Sequence, residues 1–272
     1  MAEKYIIDHD LHIHSSLSSC CKEAEMTPSR IAETAIELGH KEICLTDHFW
    51  DSNVYGASNW YKVQDYKHVT KAFPLPKKDG LKVFFGCETE YCGGTKLGIT
   101  PKTADRFDFI IIPPNHFHMH NFVRPYAPQC PYSEEAMAEF FTARLEELAA
   151  LDIPLDWRKV GIAHLTCSLM YKEGNCFDVV EKMNEDRLKA VFDVFAKREM
   201  GIELNYSAIG VLDERADARL KLYRIAKECG CKFYCASDAH AFKSLHKMRD
   251  ILLPAVDALG LTENDKYIIP RR

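Results

Sequence analysis

Cys231-Lys232-Phe233-Tyr234-Cys235-Ala236-Ser237-Asp238-Ala239-His240 is an apolar run that gives way abruptly to an acid and an imidazole two residues apart. Its aromatic and small apolar residues suit a buried β-strand. The same arrangement recurs along the chain. Residues 5–14 hold a first strand that ends in Asp10-Leu11-His12-Ile13-His14. Residues 42–46 (EICLT) precede Asp47-His48, and residues 82–87 (KVFFGC) precede Glu88. Residues 108–112 (DFIII) lead to Asn115-His116, residues 160–163 to His164, and residues 202–205 (IELN) end in Asn205.

Between these runs lie helical patterns with end signals. Thr27 caps a helix with Pro28 in its first turn, Ile31, Ala32, Ala35, Ile36 and Leu38 at helical spacing, and Gly39 at its close. Ser133 caps residues 134–151 and Asn184 caps residues 185–200. Asp213 precedes a helix over 214–229 that Gly230 ends, and a last helix is expected around 246–259. Strand–helix alternation predicts a parallel sheet. An open doubly wound sheet gathers ligands at one switch point, whereas a barrel brings every strand end to one mouth. Chemistry-bearing residues stand at the C-terminal ends of nearly all the strands. The expectation is therefore an α/β fold, a distorted TIM-like barrel of seven β/α units with its site at the C-terminal mouth. The irregular segments 49–65 and 117–131 become loops over that mouth. Their aromatics Trp50, Tyr55, Trp60, Tyr61, Phe117, Phe122 and Tyr126 suit a substrate wall, or simply loop packing.

Composition agrees with one barrel domain over residues 1–272. The chain is 47% hydrophobic and carries a net charge of −5, which disfavours long nucleic acid and anionic membranes as partners. No apolar run reaches membrane-span length and the first ten residues hold no signal-peptide core, so a cytoplasmic protein is expected. The 11 cysteines include no Cys-x-x-Cys pair, which argues for reduced thiols rather than a zinc ribbon.

His12 and His14 share one side of an extended strand, and Asp10 shares it too, so that Asp10 could orient an imidazole; His9 has the opposite parity and reads as structural. Glu88 follows Phe84-Phe85-Gly86-Cys87 directly and is preferred to Glu90, its neighbour two residues on. His116 lies nearest its strand end, ahead of His118 and His120, which read as substrate contacts or loop residues. Singly each of these has a structural explanation. Jointly, imidazoles and carboxylates at one end of successive strands make a divalent metal cluster.

The motifs Asp10-Leu11-His12-Ile13-His14-Ser15, Leu45-Thr46-Asp47-His48, Gly86-Cys87-Glu88, Asn115-His116, Ala163-His164 and Ala236-Ser237-Asp238-Ala239-His240 resemble those of the PHP (polymerase and histidinol phosphatase) superfamily, in its histidinol-phosphatase-like branch. The resemblance runs nearly end to end. It implies a seven-unit distorted barrel and two to three divalent ions, zinc, manganese or iron. By that resemblance His12, His14, Glu88 and Asp238 would hold one ion. Glu88 would bridge to a second, also held by His116 and His164, and His48 and His240 would help hold a third. Many members carry a further histidine where this chain has Ser18-Ser19-Cys20-Cys21. A Cys20 thiolate could take that position, water could, or the third ion could bind weakly. The implied reaction is hydrolysis of a small phosphomonoester, histidinol phosphate or a similar metabolite, by a metal-activated hydroxide. Asp238, His240 and Glu88 are its candidate catalytic residues. Arg124, His118 and Lys243, with Lys172, are candidate substrate contacts. The competing readings are a phosphodiesterase acting on short nucleotides and a non-catalytic, metal-stabilised binding module.

Overall fold

A computed structural model describes residues 3–124 and 133–271 of the chain. Seven strands, β1 (His9–Ile13), β2 (Glu42–Leu45), β3 (Lys82–Glu88), β4 (Phe109–Ile112), β5 (Val160–Ile162), β6 (Gly201–Asn205) and β7 (Lys232–Ala236), form one sheet in chain order, with each neighbouring pair parallel. The sheet curls into a nearly closed α/β barrel. At its mouth Ile13 bridges Ala239, and the His14 amide donates to the Ala239 carbonyl at 3.0 Å. Deeper in the seam, side chains replace the backbone ladder. The Cys235 amide donates to His9 Nε2 at 2.9 Å, and the Ser237 amide donates to Asp10 Oδ1 at 3.0 Å. His9 is thus tied to the closure of the barrel.

Alternation along the strands divides two cores. Phe109 and Ile111 point into the lumen, while Ile110 and Ile112 face the surrounding helices. Leu11, Cys44, Phe84, Ala163, Tyr234 and Ala236 complete the lumen, and Tyr267 and Ile269 of the C-terminal segment join them. Glu88, Glu203 and Asp238 continue the inward parity of β3, β6 and β7 beyond this apolar plug. The plug therefore forms the floor on which the polar cluster rests.

The helices follow their caps. The Thr27 side chain accepts from the Arg30 amide at the start of Pro28–Glu37, Ser133 caps Glu134–Ala150, and Asn184 caps Glu185–Lys197. Two starts differ from expectation. The last helix spans Phe242–Leu259, four residues longer at its start than the pattern shows, because Ala241 at its N-cap gives no side-chain signal. Asp213 does not cap the helix Ala216–Glu228; its carboxylate pairs with Arg219 at 2.7 Å instead. Among the described residues, no helix is long and apolar enough to cross a membrane. Tyr126 lies outside the described residues.

Two stability predictions follow from this packing. A Cβ at Gly161 would collide with the Tyr234 hydroxyl and stand 2.5 Å from Phe109 Cζ. Gly161→Ala should therefore destabilise the barrel by about 1–3 kcal/mol, read as a lower urea midpoint. At the opposite end of the barrel from the mouth, Asp8 lies 3.1 Å from both Lys41 and Lys266 and 3.4 Å from His9 Nδ1. The His9 hydrogen bond, joined by the two ammonium groups, outweighs partial burial and holds the Asp8 carboxyl well below the usual carboxylate range. A depressed folded pKa gives stability that is present above the unfolded value and lost as pH falls. Asp8→Asn should cost about 1 kcal/mol at pH 7, and its difference from wild type should shrink below about pH 4.

Candidate metal centre

The cluster begins with an irregularity in β1. Its register against β2 runs Asp10↔Ile43 and then Ile13↔Leu45, one extra residue on the β1 side. This bulge interrupts the alternation, a common device beside functional sites. Leu11 packs in the lumen, and the adjacent His12 also reaches the mouth. The parity that grouped Asp10 with His12 and His14 is corrected accordingly. Asp10 turns to the seam, accepting from the Ser237 and His12 amides at 3.0 and 3.3 Å. The carboxylate on the His12 ring is Glu203, whose Oε1 lies 2.5 Å from Nδ1, while its Oε2 accepts the His164 amide at 2.5 Å. Sequence reasoning missed Glu203. Its only signal was a lone acid in the apolar run Ile202-Glu203-Leu204 of β6.

Glu88, at the end of β3, is 1% exposed and stands at the centre. Its Oε2 lies 3.6, 3.3 and 3.0 Å from nitrogens of His12, His14 and His48, and its Oε1 lies 3.4 Å from His164 Nε2. Asp238 Oδ1 approaches the Nε2 atoms of His14 and His12 at 3.2 and 3.5 Å. Three groups of donor atoms result, each within 4.8 Å: His12, His14 and Asp238; Glu88, His116 and His164; and His14, Cys20, His48 and His240. All eight sequence candidates for metal ligands come together, and Cys20 joins them.

The rings are held from behind. His14 Nδ1 donates to Ser18 Oγ at 2.9 Å, and that hydroxyl donates to Asp47 Oδ1 at 2.7 Å. His116 Nδ1 donates to Glu90 at 2.7 Å, and the Tyr61 hydroxyl donates to the same oxygen at 2.5 Å. His164 Nδ1 donates to Asn115 Oδ1 at 3.1 Å, and His240 Nδ1 to the Asp238 carbonyl at 2.9 Å. Glu90, the competitor of Glu88, therefore serves as an orienting partner. Such partners fix the tautomer and aim the other nitrogen at a metal.

This donor set fits a divalent cation. With Nδ1 of both rings committed to acceptors, His12 and His14 turn their Nε2 atoms toward one another at 3.0 Å. Two carboxylates crowd the same point. Acceptors facing acceptors in a buried site are costly without positive charge between them. The electrostatics agree. Burial opposes charge on His12, but Asp238, Glu203 and Glu88 override it and push its pKa well above the usual value. Burial likewise opposes ionisation of Glu88, and His48 and His12 hold it low nonetheless. For His116, burial is outweighed by Glu90, which lifts the ring to about 9. Backbone strain marks the same place: His164 and Asp238 have φ of +26° and +46°, conformations that cost about 1–3 kcal/mol each.

The cluster floors a cavity of about 660 Å³. Trp60, Tyr61, Met119, Phe122 and Leu169 form its apolar wall, with His118 and His120 beside them. Of the loop aromatics expected there, Trp60, Tyr61 and Phe122 line it. Trp50 and Phe117 are buried in packing and Tyr55 is exposed at the surface. His118 lines the cavity, its pKa pushed down to about 4 by burial and the His116 charge. Arg124 is buried, lies 3.7 Å from Glu173 and is not among the lining residues. Lys243 and Lys172 are exposed and outside the lining as well. None of these three cations, candidates by charge, is among the residues that line the cavity.

Comparison with known proteins gives a matching PHP domain model over residues 10–207. That span ends before β7, Asp238 and His240. No curated protein matches the chain. Among solved structures, histidinol phosphate phosphatase from Lactococcus lactis subsp. lactis, complexed with zinc, L-histidinol and phosphate, is similar at TM-score 0.60 and 19% identity, covering 97% of this chain and 100% of that one. A protein from Listeria monocytogenes assigned as a histidinol phosphatase is similar at TM-score 0.63 and 16% identity, covering 89% of this chain and 98% of that one. At these identities the likeness speaks for the fold. The family match spans most of the chain and includes β1 to β6, and the chain belongs to the PHP domain family.

Proposed function

We propose that this protein is a metal-dependent phosphoesterase that hydrolyses a small phosphomonoester, with histidinol phosphate the leading substrate. One observation carries the reading: Glu88 lies among three groups of metal-type donors at the floor of a single small-molecule cavity. Zinc, manganese or iron bound there supplies Lewis acidity toward phosphoryl oxygens and activates water as the nucleophile.

The residues divide the remaining work. Glu88 turns one oxygen to His12, His14 and His48 and the other to His164, so it can link adjacent groups. Asp238 and His240 have side chains 23% and 34% exposed, the most open of the histidines and acids in the cluster. Both line the cavity and are assigned to proton handling at the leaving-group oxygen. Trp60, Tyr61, Phe122 and Leu169 exclude water and receive the organic part of the substrate, an imidazole among the groups that fit. A cavity of this size suits a metabolite. The similarity to the Lactococcus lactis enzyme, which carries L-histidinol and phosphate, supports the choice of leading substrate.

The test is turnover by metal-loaded protein of histidinol phosphate, an aryl phosphate and a bis-aryl phosphodiester. Monoester hydrolysis is expected, with His14→Ala or Asp238→Ala lowering kcat/KM by about 10²–10⁴-fold. Preference for the diester would overturn the substrate class, and failure on every phosphoester at full metal occupancy would overturn the enzyme reading. Glu203→Gln should weaken metal retention or activity by about 10–100-fold while the protein stays folded by circular dichroism. Unchanged metal retention and unchanged activity would remove Glu203 from its orienting role.

A further inference from the structure

The three donor groups contain a conflict. His14 belongs to two of them, yet it has one nitrogen to offer. Its Nδ1 is committed to Ser18, whose own hydroxyl proton goes to Asp47. Its Nε2 lies 3.0 Å from His12 Nε2 and 3.2 Å from Asp238 Oδ1, which assigns it to their group. The remaining group then has Cys20, His48 and His240. Two imidazoles alone make a poor site. Adding the thiolate gives three protein ligands with an open position toward the cavity, the composition of a reactive zinc site rather than a closed structural one.

The loop makes a choice between its two adjacent thiols. Cys21 turns its Sγ to the carbonyls of His240 and Glu23, at 3.4 and 3.6 Å. Cys20 instead lines the cavity. The loop that carries it is built rather than loose. The Cys21 amide donates to the Ser18 carbonyl at 2.9 Å, and the Ser19 amide donates to the buried Gln64 side chain at 2.8 Å.

We propose that Cys20 is the third protein ligand of a site shared with His48 and His240, and that its sulfur biases this site toward zinc over manganese. The inference rests on the cluster's taking up metal, as in the function proposed above. A soft thiolate widens the preference for zinc over manganese that imidazole with a carboxylate or water already shows.

Cobalt(II) added to the metal-free full-length chain tests it, because a thiolate ligand gives a charge-transfer band in the near-ultraviolet that imidazole and carboxylate do not. Wild type and Cys21→Ser should show the band. Cys20→Ser should lose it together with one equivalent of metal by elemental analysis, and Cys20→His should regain that equivalent without the band. Zinc at this position should resist displacement by excess manganese better in wild type than in Cys20→His, and equal resistance would overturn the sulfur bias. A band that survives Cys20→Ser or vanishes in Cys21→Ser would overturn the proposal, as would metal uptake by wild type with no band. Failure to take up any metal would instead overturn the metal centre as a whole.

Discussion

A buried carboxylate facing four imidazoles governs this structure. Glu88 is the residue around which His12, His14, His48 and His164 converge. The Nδ1 atoms of His12, His14 and His164 are already bound to Glu203, Ser18 and Asn115, and that of the neighbouring His116 to Glu90. What faces inward is a concentration of lone pairs and negative charge. Positive charge placed among them, as protons on the rings or as a metal ion, offsets the cost of burying them. The convergence also explains why the cluster occupies the mouth of a barrel. No other parallel α/β arrangement brings the ends of β1, β3, β5 and β7 within reach of one point.

Several features that would weaken an ordinary barrel serve this convergence. The β1 bulge gives up regular pairing with β2 and gains a second inward residue. The β7–β1 seam gives up backbone hydrogen bonds and is held by His9 and Asp10. His164 and Asp238 adopt left-handed backbone conformations. These costs are offset below the cluster by the lumen core of Leu11, Phe84, Phe109 and Tyr234. Any metal bound above it would add stability through mass action. Fold and site are coupled in this way: the apolar floor sets the height at which the polar residues meet, and the cluster in turn draws β1 and β7 together.

The barrel and the convergence of the inner imidazoles and carboxylates were legible in the sequence because both follow local rules. An apolar run ends, a polar residue follows, and strand direction does the rest. Glu88 over Glu90 was likewise a local decision, made from distance to the strand end. The outer ring was not legible. Glu203 serves His12 from a strand far along the chain, and nothing near it in sequence marks that role. Asp10 was misassigned because strict alternation cannot anticipate a bulge. The helix that begins at Phe242 lacks a capping residue to announce it. Arg124, Lys172 and Lys243 were candidates by charge, Arg124 also by its place in a long loop, and where such a side chain ends up depends on packing that sequence does not encode locally.

If divalent metal balances the inward charge of the cluster, binding it must stabilise the fold against heat. Tm should be measured for wild type and Glu88→Gln, each with chelator and across a zinc titration. Wild-type Tm is expected to climb steadily with free zinc, by the equivalent of about 2.7 kcal/mol at a hundredfold excess over Kd. The Glu88→Gln rise should be much smaller. A wild-type Tm identical in chelator and in zinc would contradict that role for metal.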